Sequence, residues 1–151
     1  MSNQIILLVE DNPDDEWLTM RALEKSQVAH QAEVVVVRDG VEALHYLFSD
    51  DSPIQTHMEK LALILLDLKL PKIDGLEILE RIREDERTAS LPTVVLTTSS
   101  EHRDILTSYR LGANSYIRKP VDFEAFIEIV QQLSNYWLKL NQTPSKDRTL
   151  L

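Results

Sequence analysis

Apolar and polar positions along this chain fall into two alternating patterns. Short continuous apolar runs, Ile5 to Val9 (IILLV), Ala62 to Leu66 (ALILL) and Thr93 to Leu96 (TVVL), are rich in branched residues, as expected of strands buried on both faces of a parallel sheet. Ala32 to Val37 (AEVVVV) and Asn114 to Ile117 (NSYI) read as two more. Between them lie stretches with helical spacing: Asp14 to Ser26, Val41 to Phe48, Asp74 to Glu84, Glu101 to Leu111 and Asp122 to Leu140. In the third, Ile78, Leu79 and Ile82 share one face, while Glu77, Glu80, Arg81 and Glu84 take the other. Asn12 before Pro13 offers a capping side chain followed by proline at the first helical position, and Gly40, Gly75 and Gly112 fall at element boundaries. Five repeats of strand then helix predict an α/β domain. Its core is a doubly wound five-stranded parallel sheet with helices on both faces and right-handed crossovers. Ser49 to Lys60 reads as a long polar loop, and residues 141–151 as a polar tail with no predicted structure.

Composition narrows the classes. A chain of 151 residues that is 43% apolar has the size of one domain with one sizeable core. No window reaches the ~18 apolar residues of a membrane span, and the start lacks a secretion signal, so a cytoplasmic protein with no membrane partner is expected. The absence of cysteine excludes disulfides, thiol catalysis and cysteine metal sites. A net charge of -9 without a basic patch argues against nucleic acid as a direct partner. His30, His45, His57 and His102 have no metal-ligand spacing and read as ordinary surface or boundary residues.

In an open α/β sheet, ligands gather outside the carboxyl ends of the strands. Glu10 and Asp11 follow the first predicted strand, Asp67 the third, Thr97 and Thr98 the fourth, and Arg118, Lys119 and Pro120 the fifth. Each has an ordinary structural explanation on its own: a solvated helix start, a turn residue, a satisfied strand-end hydroxyl, a surface lysine. Their joint placement argues otherwise. Two carboxylates ~4 Å apart repel by about 4 kcal/mol at a moderate effective dielectric, so three of them require a cation. Magnesium, a hard ion that takes oxygen ligands, suits such a cluster. The set therefore points to magnesium-assisted phosphoryl transfer, with Asp67 as nucleophile and Lys119 and a threonine hydroxyl on phosphate oxygens.

The segments LLVEDNPDD, LILLDLKLPKIDG, VVLTTSS and YIRKP occur in order, and with them the chain resembles the receiver domain of two-component response regulators over residues 4–140. The resemblance implies a flavodoxin-like receiver fold and a phosphoacceptor signalling protein, not an enzyme acting on an external substrate. It makes Asp67 the phosphoacceptor and Asp11 a direct magnesium ligand. Glu10 would act through a water of the ion, and the main-chain carbonyl of Lys69 would join the coordination. Thr97 and Lys119 would contact the phosphoryl group, with Thr97 and Tyr116 as the switch pair. The resemblance also implies a cis Lys119–Pro120 bond, which proline makes accessible at ~0.5–1 kcal/mol. Lys69 and Ser99 occupy positions that govern phosphoryl lifetime in such proteins, and the lysine is expected to alter it. The EDNPDD start, the long loop before the third strand, LTTSSEHRDILTSYRLGANSYIRKPVD and the aromatic last helix resemble stand-alone receivers that work with bacterial phytochrome-type histidine kinases, cyanobacterial ones above all.

The last predicted helix carries two apolar stripes. Phe123, Ile127, Val130 and Trp137 suffice to pack it on the sheet, and Phe126, Ile129, Leu133, Tyr136 and Leu140 are expected to be buried in a symmetric homodimer, the alternative being cover by the tail or the fourth helix within one chain. Because no effector domain is expected after this helix, output is expected through docking, through relay to a histidine phosphotransfer protein, or through dimer exchange. Three other readings compete. A haloacid-dehalogenase-like phosphatase needs an aspartate where Lys69 stands, and an FMN carrier would meet repulsion from EDNPDDE. The third, a receiver-fold interaction module that is rarely phosphorylated, is opposed by the presence of all five site residues.

Overall fold

The computed structural model describes residues 4–26 and 32–143; His30 and the part of the tail beyond residue 143 lie outside them. The strands are β1 (Gln4–Val9), β2 (Ala32–Val37), β3 (Leu61–Leu66), β4 (Thr93–Thr97) and β5 (Ser115–Arg118). They alternate with helices α1 (Pro13–Lys25), α2 (Gly40–Phe48), α3 (Gly75–Glu84), α4 (His102–Arg110) and α5 (Phe123–Asn135). All neighbouring strands pair in parallel, in the order β2-β1-β3-β4-β5. This is the predicted doubly wound sheet. None of the helices among the described residues is long and apolar enough to cross a membrane.

The continuous apolar runs are explained by burial on both sides. Along β1, Ile5, Leu7 and Val9 pack against α2 and α3 residues such as Ala43, Leu47, Ile78 and Ile82. Ile6 and Leu8 turn the other way, toward Ala22 and Leu23 of α1 and Phe126 and Val130 of α5. Every residue of β3 is buried, so each position of that strand belongs to one core layer or the other. At about 25 cal/mol per Å² of apolar surface removed from water, these two layers dominate the favourable side of folding.

Three expectations need correction. The segment from Ser49 to Lys60 is not a plain polar loop: it forms two short 3-10 turns, Pro53–Thr56 and Met58–Lys60. Ile54 is buried in the α2/α3 core layer, and the Gln55 amide donates to the Leu47 carbonyl at 2.8 Å. The α5 stripes are also placed differently. Phe126 and Leu133, assigned to a dimer face, are core residues, whereas Phe123, assigned to the sheet, is 44% exposed. The face toward the sheet is the arc Phe126, Ile127, Val130, Leu133 and Ser134, wide because adjacent positions both turn inward. After Asn135 the helix widens into a π turn, Tyr136–Leu140, closed by the Asn141 amide on the Tyr136 carbonyl at 2.7 Å. That change of pitch shifts the phase, so Leu138 is buried while Tyr136 and Leu140 are exposed. Finally, no cis peptide bond occurs among the described residues. Lys119–Pro120 is therefore trans, the isomer that X–Pro bonds favour by ~0.5–1 kcal/mol.

Arg83, given no role by its sequence position, staples the end of the sheet opposite the carboxyl ends. Its guanidinium donates to the carbonyls of Leu91 and Gly112, each at 2.8 Å, and to Asn114 Oδ1 at 2.7 Å. It thus joins the end of α3 to the segments that enter β4 and β5. Gly112, at φ 101°, reverses the chain at the end of α4 in a conformation that favours glycine.

Candidate phosphoryl-transfer site

The strand order reverses on either side of β1, so a crevice opens at the carboxyl ends of β1 and β3. The sheet's own hydrogen bonding continues one rung past each strand there. The Glu10 amide donates to the Val37 carbonyl at 3.0 Å, the Asp67 amide to Val9 at 3.1 Å, and the Lys119 amide to Thr97 at 2.7 Å. Backbone pairing thereby fixes three functional side chains on rigid strand ends.

Glu10, Asp11 and Asp67 each bring one carboxylate oxygen within 4.8 Å of the others. Glu10 and Asp67 are buried and Asp11 is exposed, so the cluster is rooted in the protein and open on one side. Lys119 Nζ lies 2.6 Å from Glu10 Oε1, 2.9 Å from Asp67 Oδ2 and 2.8 Å from Asp15 Oδ2. The second Asp67 oxygen accepts the Lys69 amide at 3.1 Å, and the second Glu10 oxygen accepts the Asn12 amide at 3.2 Å. Burial would pull the lysine pKa down. The charges of Asp67 and Glu10 and the bonds to Asp15 and Glu10 overcome this and hold it above the ordinary lysine value. Burial raises the Glu10 carboxyl against the opposing pull of Lys119, with Asp67 adding to the rise, and the group is pushed up to about 7. A ring of acids this desolvated favours any further cation that can reach it through the Asp11 side.

Thr97 is fully buried at the end of β4, and its hydroxyl finds no hydrogen-bond partner among the described residues. A buried hydroxyl left this way is costly, and its position at a strand end beside the acids fits an acceptor that arrives later. Tyr116, on β5, is half-buried and donates its hydroxyl to the Ser99 carbonyl at 2.8 Å. Burial raises its pKa.

The predicted Glu10, Asp11, Asp67 and Lys119 thus converge, with Thr97 on the neighbouring strand end and the Lys69 backbone against Asp67. The predicted dimer residues do not form one surface: Ile129 is partly buried, and only Tyr136 and Leu140 of that set are exposed. Asp15, which binds Lys119 from the first turn of α1, was missed. Its one signal was the double aspartate after Pro13, which also reads as ordinary favourable charge at a helix start.

Comparison with known proteins agrees with this geometry. Residues 6–131 match the family model described as "Response regulator receiver domain". The chain is 40% identical over 140 residues to the probable methanogenesis regulatory protein FilR2 of Methanothrix harundinacea, covering 93% of this chain and 87% of that protein. Among solved structures, the phosphorylated cyanobacterial phytochrome response regulator RcpA superposes with a TM-score of 0.85 at 41% identity, covering 95% of this chain and 99% of that one. The Mn(2+)-bound form of response regulator Rcp1 gives 0.83 at 34% identity, with 94% and 99% covered.

Proposed function

The chain belongs to the response regulator receiver domain family, and from that premise we propose that it accepts a phosphoryl group on Asp67 from a histidine kinase and signals by a change of conformation. The observation that carries this assignment is Lys119 bonded to both Asp67 and Glu10 on the buried side of the acidic cluster. One Asp67 oxygen attacks phosphorus, the bond from phosphorus to the donor histidine nitrogen breaks, and an acyl phosphate forms. Lys119 moves from a carboxylate to a phosphoryl oxygen without leaving the pocket, and the Thr97 hydroxyl gains an acceptor. Release of Tyr116 from Ser99 then reshapes the surface of α4, β5 and α5, a bias on two populations.

Glu10, Asp11, Asp67 and the Lys69 main-chain carbonyl would hold magnesium, a hard ion matched to an all-oxygen donor set. When bound it supplies charge neutralisation for the incoming phosphoryl group. The similar regulator Rcp1 was solved in a Mn(2+)-bound form, which supports a divalent ion in this class of protein. The similar RcpA is a phytochrome response regulator, which supports a phytochrome-type histidine kinase as donor. The receiver domain spans residues 4–140 in this reading, residues 141–151 are an appended tail, and a histidine phosphotransfer protein is a further candidate partner.

Incubation with magnesium and a small-molecule phosphodonor, followed by intact mass, tests the assignment. Wild type gains one labile phosphoryl group and Asp67→Asn gains none. An unlabelled wild type would instead favour a receiver-fold interaction module.

The homodimer is retained on a revised surface. β5 is an edge strand, and Ile117, Ile129, Tyr136 and Trp137 line a groove between it and α5. Sedimentation is expected to show concentration-dependent dimer that Tyr136→Ala weakens. A single monomer mass at all concentrations and in both phosphorylation states would remove the dimer.

A further inference from the structure

A second polar cluster sits at the first turn of α4 and shares Ser99 and Tyr116 with the switch proposed above. Helices usually dock through an apolar stripe, but the two buried side chains of α4 are Asp104 and Ser108, and Leu106 and Tyr109 are exposed. Its first turn is tied by the polar contacts of Asp104. Ser99 Oγ donates to Asp104 Oδ2 at 2.6 Å, and Lys69 Nζ lies 3.7 Å from the same oxygen. The Tyr116 hydroxyl holds the Ser99 carbonyl from the other side at 2.8 Å. One carboxylate therefore joins α4, the loop that begins after Thr97, and the residue two positions beyond Asp67.

We propose that Asp104 is a positioning residue that sets the lifetime of the phosphoryl group by holding the Lys69 ammonium away from it. The inference rests on Asp67 as phosphoacceptor. The Lys69 backbone is anchored at the site, because its amide donates to Asp67 Oδ1 at 3.1 Å, so its side chain can turn toward a phosphoryl oxygen or toward Asp104. The lysine side chain is 64% exposed, so the pair adds little stability. Its effect is on where the ammonium resides.

Freed from Asp104, the ammonium makes a charge-assisted bond to the phosphoryl group. That bond stabilises the acyl phosphate and crowds the water that attacks it. In hydrolysis the water oxygen bonds to phosphorus, the bond from phosphorus to the Asp67 oxygen breaks, and carboxylate, inorganic phosphate and a proton result. Fewer productive approaches of water mean a longer lifetime.

The 151-residue chain, labelled with magnesium and a small phosphodonor and then freed of donor, provides the test through the decay of phosphoryl mass. Asp104→Asn keeps an oxygen that accepts from Ser99 while losing the charge that holds Lys69. It is expected to lengthen the half-life about two- to fivefold, the shift in residence that an exposed ion pair can hold. In the Lys69→Ala background the same substitution changes nothing, and Asp104→Glu restores the wild-type decay. An unchanged or shortened half-life in Asp104→Asn overturns the proposal, as does equal lengthening without Lys69. Uptake of one labile group by wild type keeps the phosphoacceptor reading standing in those cases. A wild type that takes no label defeats both together.

Discussion

Replacing Lys119 with methionine is expected to lower the stability of the metal-free protein by about 3 kcal/mol at neutral pH, the scale found when one partner of a buried ion pair is removed. The side chain is 3% exposed and its ammonium touches three carboxylates, of which those of Glu10 and Asp67 are 2% and 8% exposed. Methionine keeps most of the volume and removes the charge, so the loss reports on electrostatics and not on a cavity. Magnesium should restore more stability to the variant than to wild type, because in wild type the lysine competes for the same oxygens. Urea unfolding with chelator and then with excess magnesium measures both effects. An unchanged midpoint in chelator would show that the three acids do not depend on Lys119 for their charge balance.

Substitution of Gly75 by alanine is expected to slow phosphoryl uptake by about a hundredfold, the scale of an ångström-sized misplacement of a reacting group. A Cβ there would lie 2.5 Å from the Asp67 carbonyl oxygen and 2.6 Å from the Leu68 Cα. Both are backbone atoms of the segment that holds the nucleophile, and neither can swing aside as a flexible side chain would. The Gly75 amide also donates to the Leu68 carbonyl at 3.1 Å, so the first residue of α3 is pressed against that segment. Gly75 is the first residue of α3, where alanine gains less than in a helix interior, while overpacking costs about 1–3 kcal/mol, and relief requires either α3 or Asp67 to move. Initial labelling rates at fixed phosphodonor and magnesium provide the comparison. A wild-type rate in Gly75→Ala would mean that the loop after Asp67 absorbs the displacement harmlessly.

Much of the fold was legible because strands buried on both faces leave an unmistakable trace. The run LALILL has no polar position, and its end at Asp67 marks both the edge of the core and the start of the site. Glu10, Asp11 and Lys119 were legible for the same reason: each falls within two residues of the end of a strand that the composition reveals. Asp15 and Asp104 were not, since an acid in the first turn of a helix is favoured by the helix dipole wherever it occurs. Only the tertiary partners, Lys119 for one and Ser99 with Lys69 for the other, separate these two from any other acid so placed. The α5 stripes failed for a different reason. Periodicity states that a helix has apolar faces without stating which one meets the sheet, and a change of pitch after Asn135 cannot be seen in residue types. Ile54 was hidden among polar neighbours, and two apolar residues in a short loop, Ile54 and Met58, are too few to establish a period.

The Thr97 hydroxyl, unpartnered among the described residues, bears on how far the two proposed conformations stand apart in free energy. Leaving such a group buried without a bond raises the unmodified form by about 1–3 kcal/mol. Driving a two-state equilibrium from 1:99 to 99:1 requires about 5.5 kcal/mol. One side chain can therefore supply from about a fifth to about half of the whole swing once an acceptor arrives.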